Sequence, residues 1–127
     1  MFHYTVSTEK DTETALESLV GALAEKNFGV LWKLDFKEKL AEKGLDFNGK
    51  FIILEVCNPV KAKEALEGSV LAGYFLPCKI VVYEQNGQTK IGTVRPSALM
   101  DMIEGGFPSE LPLAVEKILI DVINAAK

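Results

Sequence analysis

An Asn86-Gly87 pair, set between the alternating runs Lys79 to Glu84 and Thr89 to Val94, constrains this chain more than any other feature. A two-residue hairpin turn demands positive φ at both central positions, and Asn followed by Gly is the pair that tolerates it best. The two runs are therefore expected to be antiparallel neighbours in a sheet, and the remaining elements must be arranged around them.

Working outward from the hairpin, the spacing predicts a strand over Tyr4 to Ser7. A helix follows, capped by Asp11 or Thr12, with Leu16, Leu19, Val20 and Leu23 on one face. Next come a strand over Phe28 to Leu34 and a short helix over Phe36 to Lys43, introduced by an Asp35/Glu38 imitation of a capping box and stopped at Gly44. Phe51 to Val56 reads as an apolar strand and Lys61 to Glu67 as a short helix ended by Gly68. Arg95-Pro96 breaks the last strand, and a linker containing Gly and Pro leads to a helix over Glu110 to Ala126. Leu111, Val115, Ile118, Leu119, Val122 and Ile123 give that helix a broad apolar face. The order is strand, helix, four strands with two short helical insertions, then a long helix. Such an order specifies a single α+β domain over residues 1–127, with the two longer helices on one face of a largely antiparallel sheet.

Side chains alternate along a strand, so Val30, Trp32, Leu34, Ile52, Leu54, Val56, Ile80, Val82 and Ile91 are expected to share the helix-covered face. The opposite face would carry Leu31, Lys33, Phe51, Ile53, Glu55, Val81, Tyr83 and Val94, too apolar to rest comfortably in water. A homo-oligomer, most simply a dimer that covers part of this second face, is the expected consequence, with edge-strand pairing as the competing geometry.

At 127 residues and 48% hydrophobic content, the chain suffices for one domain burying about two thirds of its unfolded surface. Its 18 acidic and 14 basic residues leave a net charge of -4 with no basic cluster, which removes the footprint of a nucleic-acid binder. Met1 to Tyr4 passes directly into a strand pattern, without a basic start, an apolar signal core or a run long enough to span a bilayer. The expected location is the cytoplasm, where two cysteines are thiols, metal ligands or a transient redox pair.

Each cysteine sits in a turn or cap signal, a placement that buried structural cysteines share with functional ones. In Cys57-Asn58-Pro59, Asn58 suits a helix N-cap and Pro59 the first helical position, placing Cys57 at a helix's positive end. Leu76-Pro77-Cys78 opens the next strand, and the hairpin register sets Cys78 opposite Arg95, the only arginine. A guanidinium beside a thiol would favour the thiolate. Strand parity places Cys57 on the outer face and Cys78 on the inner one, which argues against a disulfide. The lone histidine, His3, would complete at most a partial zinc set with the two thiols. Glu55, with Lys33 and Lys79 in matching parity, reads as an ion-paired cluster on the outer face.

Other motifs fail. Gly44 to Lys50 has P-loop spacing but carries Phe51 where a hydroxyl is needed, and it runs from helix to strand, the reverse of the required order. Gly105-Gly106 lacks dinucleotide-site spacing and is better read as a hinge or turn. Ser97 has no histidine with a reason to lie beside it.

Phe28-Gly29-Val30-Leu31 with Asp35, Cys57-Asn58-Pro59 with Ala62 and Ala65-Leu66, and Leu76-Pro77-Cys78 before Val81-Val82 together resemble the domain of unknown function 302 family, from about Tyr4 to Val94. The resemblance implies a β-α-β4-α arrangement similar to TATA-binding-protein-like folds, with dimers. Asn often follows the second cysteine in that family where this chain has Lys79, so no role carries over to position 79. The expectation is a small cytoplasmic dimeric binding or accessory domain, with a small-molecule site gathering Cys57, Asn58, Pro59, Pro77, Cys78 and Arg95. A thiol-dependent redox protein is the alternative, with Cys57 attacking, Cys78 resolving and Arg95 lowering a thiol pKa; a metal-binding protein using Cys57 and Cys78 is third. No pattern names a cofactor, and neither nucleic acid nor membrane is an expected partner.

Overall fold

A computed structural model describes residues 1–127. The Asn86-Gly87 turn is present, with φ of 53° and 77° at its two residues. It joins β4 (Cys78–Gln85) to β5 (Gln88–Val94), with Gln85 opposite Gln88 and Tyr83 opposite Lys90. The other strands are β1 (His3–Thr8), β2 (Gly29–Asp35) and β3 (Phe51–Cys57), and all five form one antiparallel sheet in the order β1-β5-β4-β3-β2.

The helices are α1 (Thr12–Glu25), α2 (Phe36–Ala41), α3 (Pro59–Gly68), α4 (Pro96–Met100) and α5 (Leu111–Ala126), with a 3-10 turn over Val70–Tyr74. Asp11 caps α1 by accepting from the Thr14 N–H at 2.8 Å, and Asp35 caps α2 by accepting from the Glu38 N–H at 3.1 Å. Two elements were not anticipated: the 3-10 turn and α4, which begins on the Arg95-Pro96 step expected only to break a strand. Pro96 occupies the first turn of α4, where its missing N–H removes nothing.

The long helices α1 and α5 pack on one face of the sheet. Leu16, Leu19 and Leu23 from α1 and Leu119, Val122 and Ile123 from α5 bury against Ile52, Leu54, Val56, Ile80, Val82 and Ile91. At about 25 cal/mol per Å² of apolar surface removed from water, this layer is the main source of stability.

Strand β2 corrects the expected parity. A bulge between Val30 and Trp32 shifts the register, so Val30 opposes Val56 but Trp32 opposes Glu55 and Leu34 opposes Ile53. Directly opposed residues share a face, so Trp32 and Leu34 lie on the open side rather than beneath the helices. Lys33 is moved with them: it opposes Leu54 and stands apart from Glu55, leaving Glu55 opposite Lys79 alone, with no ion pair formed. On the open face, Phe51, Ile53, Val81, Tyr83 and Val94 are half-buried, and Phe51 stacks on Tyr83 at 5.1 Å while meeting Phe36 edge-on at 6.4 Å.

Candidate functional site

Strand β3 ends at Cys57, and the chain turns at once into α3. The Asn58 side chain accepts from the Val60 and Lys61 N–H groups at 3.1 and 3.2 Å, and Pro59 takes the first helical position. Strand β4 starts alongside: Cys78 opposes Val56, whereas Cys57 opposes Gly29 on the other flank. Cys78 therefore shares the parity of the core residue Val56 and packs against the core, with Cys57 on the alternate parity. Both thiols are free.

Between these strand ends and the N-terminal part of α5 lies a cavity of about 40 Å³, counted as space open to the centre of a water molecule. Cys57, Asn58, Pro77 and Cys78 line it, together with Lys61, Ala62 and Ala65 of α3. Pro96 and Met100 of α4, the loop residue Phe107, and Leu111, Pro112 and Val115 of α5 close the far side. Four of the six residues singled out in the sequence thus meet in one cavity whose lining is mostly apolar, whereas Pro59, the exposed first residue of α3, is not part of the lining.

Arg95 does not join them. Its Nε donates to Glu116 Oε2 at 3.1 Å, one terminal nitrogen to the Met1 carbonyl at 2.6 Å and the other to Ser97 Oγ at 3.3 Å. The hairpin register is as expected, yet the strand ends at Val94 and the Arg95 side chain is drawn towards α5. The buried partner, Glu116, was not singled out in the sequence. It also accepts from the Ser97 hydroxyl at 2.6 Å and the Ser97 N–H at 3.1 Å. Burial alone would push this carboxyl up, but the Ser97 hydrogen bonds and the Arg95 guanidinium outweigh it and hold the pKa below the ordinary value. A charged residue on the apolar stripe of an amphipathic helix, one residue after Val115 and three before Leu119, was the available signal.

At Cys78 the electrostatics run opposite to the expectation of a thiol activated by Arg95. Burial pushes the Cys78 thiol up to about 11, the neighbouring Cys57 adds to the rise, and Arg95 does not act on it. At neutral pH Cys78 is a protonated, apolar-packed thiol. His3 is on edge strand β1, opposite Val94, with its ring against Phe2 and Nδ1 2.9 Å from Thr5 Oγ1. No group of three or more His, Cys, Asp or Glu side chains is placed to hold a metal ion, so the His3 and two-thiol set does not assemble. No helix is long and apolar enough to cross a membrane.

Comparison with known proteins gives one consistent picture. The model of the family described as "Domain of unknown function DUF302" matches residues 4–126. An uncharacterized conserved DUF302 protein from Bacillus stearothermophilus, known from its crystal structure, is 44% identical and superposes with a TM-score of 0.95, over 100% of this chain and 99% of that one. No curated protein matches. The strands, the cap at Asn58 and the two cysteine turns thus stand in a chain that belongs to the DUF302 family.

Proposed function

We propose that this chain is a small cytoplasmic binding or accessory domain that holds a small apolar molecule in the cavity between β3, β4, α3 and α5, and works as a homodimer joined through its open sheet face. One observation carries the reading: Cys57, Asn58, Pro77 and Cys78, from two separate turn motifs, line a single apolar cavity. Ligand sites are concave and mostly apolar with few polar groups, and this one has that character. At about 40 Å³ it excludes a large cofactor, and even a short chain needs one lining side chain to move aside. A thiol redox cycle fits less well, because burial holds the Cys78 thiol up at about 11 and keeps its thiolate fraction small at neutral pH.

Hexanol is a suitable probe. Titrated into labelled protein, it should saturably shift the methyl resonances of Ala62, Ala65, Leu111 and Val115. Ala62→Phe, which fills the cavity, should abolish the response; absence of saturable shifts in the native protein would remove the binding reading. The dimer rests on the half-buried Phe51, Ile53, Val81 and Tyr83 of the open face. Sedimentation equilibrium should report a dimer that Val81→Glu converts to monomer, and a monomer at every concentration would end that part of the proposal.

A further inference from the structure

We infer that the cavity takes an anionic amphiphile, with its head group on Lys61 and its tail in the space now plugged by the Phe107 ring; this rests on the binding reading above.

Lys61 is the only charged residue lining the cavity, and because the lining surface is almost wholly apolar it contributes its carbon stem to the wall and leaves its ammonium outside, at the mouth. It is half-buried, and it takes part in none of the ion pairs of the fold. It also stands in the first turn of α3, where the helix dipole disfavours a cation and no acidic residue shares that turn. Folding therefore gains little from this charge at this position, whereas a carboxylate held at the cavity mouth would gain a partner. The remaining lining offers no second charge, and the Asn58 side-chain oxygen is already engaged by two backbone N–H groups. A ligand with one anionic end and an otherwise apolar body matches that distribution.

The tail requires more room than about 40 Å³, and Phe107 can supply it. Its ring tip lies over Gly68 at the end of α3, so close that a Cβ there would meet Phe107 Cζ at 2.7 Å. The ring hangs from a glycine turn outside any helix or strand: Gly105 and Gly106 precede it with φ of 82° and 73°, and Pro108 follows. Neither the N–H nor the carbonyl of Phe107 makes a backbone hydrogen bond, so swinging the residue outward breaks none. The same movement opens the cavity between α3 and α5.

The test titrates hexanoate and hexanol, equal in chain length, into the native protein, Lys61→Met and Phe107→Ala. Hexanoate is expected to bind about threefold or more tightly than hexanol, with the preference shrinking in high salt and vanishing in Lys61→Met. Phe107→Ala should tighten both ligands about fivefold by removing the cost of opening. Equal binding of the two ligands, or a preference that survives Lys61→Met, overturns the anionic assignment while leaving an apolar binding site intact. Unchanged affinity in Phe107→Ala overturns the plug. If neither ligand binds any of the three proteins, the binding reading itself fails, and the inference with it.

Discussion

Raising the pH on native protein is the most searching test of how the two cysteines are built in. The Cys78 thiol moves from an ordinary value of 9.0 to about 11, chiefly through burial. That shift leaves about a hundredfold less thiolate at neutral pH than an unperturbed thiol has, equivalent to about 2.7 kcal/mol at 1.36 kcal/mol per unit. Iodoacetamide attacks only the thiolate, so at pH 8 Cys78 in the folded protein should alkylate about a hundredfold more slowly than in urea, read peptide by peptide by mass spectrometry. Stability carries the same signature. The folded pKa lies above the unfolded one, so between about 9 and 11 the native state keeps a proton that the unfolded chain releases. The contribution is complete below pH 9 and declines as pH rises through 11, by up to about 2.7 kcal/mol. Lysines and tyrosines titrate in the same window, so the informative quantity is the difference between wild type and Cys78→Ala, whose alkaline limb should be the flatter. Cys57→Ala removes only the smaller contribution and should restore part of the lost reactivity. Alkylation of native Cys78 at pH 8 within a few-fold of its unfolded rate, or parallel alkaline limbs, would refute the reasoning and return the thiolate mechanism to contention.

Glu116→Gln should cost about 2 kcal/mol, because one charge-assisted contact to Arg95 and two hydrogen bonds from Ser97 lose their anionic acceptor. Since the native carboxyl titrates below its ordinary value, its contribution is present above that value and lost as pH falls, so urea melts should show a shallower acid limb in the variant. Gly92→Ala should destabilise by about 1–3 kcal/mol, because a Cβ there would meet Thr5 Oγ1 at 2.5 Å across the β1–β5 pair, and Thr5→Ala should recover part of the loss in a double-mutant cycle. Asn58→Ala should cost about 1 kcal/mol by freeing two N–H groups of α3, measured as a lowered thermal midpoint; an unchanged midpoint would show that the cap contributes nothing.

Local signals in the sequence determined the elements and the covered face. Asn86-Gly87 defined the hairpin, Asp11, Asp35 and Asn58 defined helix starts through their own side-chain oxygens, and alternation in β3, β4 and β5 assigned Ile52, Leu54, Ile80, Val82 and Ile91 to the core. Such signals are legible because the partner group lies within a few residues. The α4 start at Pro96 belongs to the same class and was readable from a proline after an extended residue. Tertiary structure decided the rest. Whether one extra residue in β2 is absorbed as a bulge depends on what β3 presents beside it, so the faces of Trp32 and Lys33 were out of reach of a period-2 rule. Arg95 was placed opposite Cys78 by register, yet its guanidinium went to Glu116, a carboxylate 21 positions away on α5. The cavity has the same origin. Its walls come from α3, α4 and α5, two strand ends and Phe107, and only their packing turns two short cysteine motifs into one apolar enclosure that keeps Cys78 protonated. Caps and turns depend on neighbours along the chain, whereas burial and the pKa of a buried group depend on every element that excludes water from it.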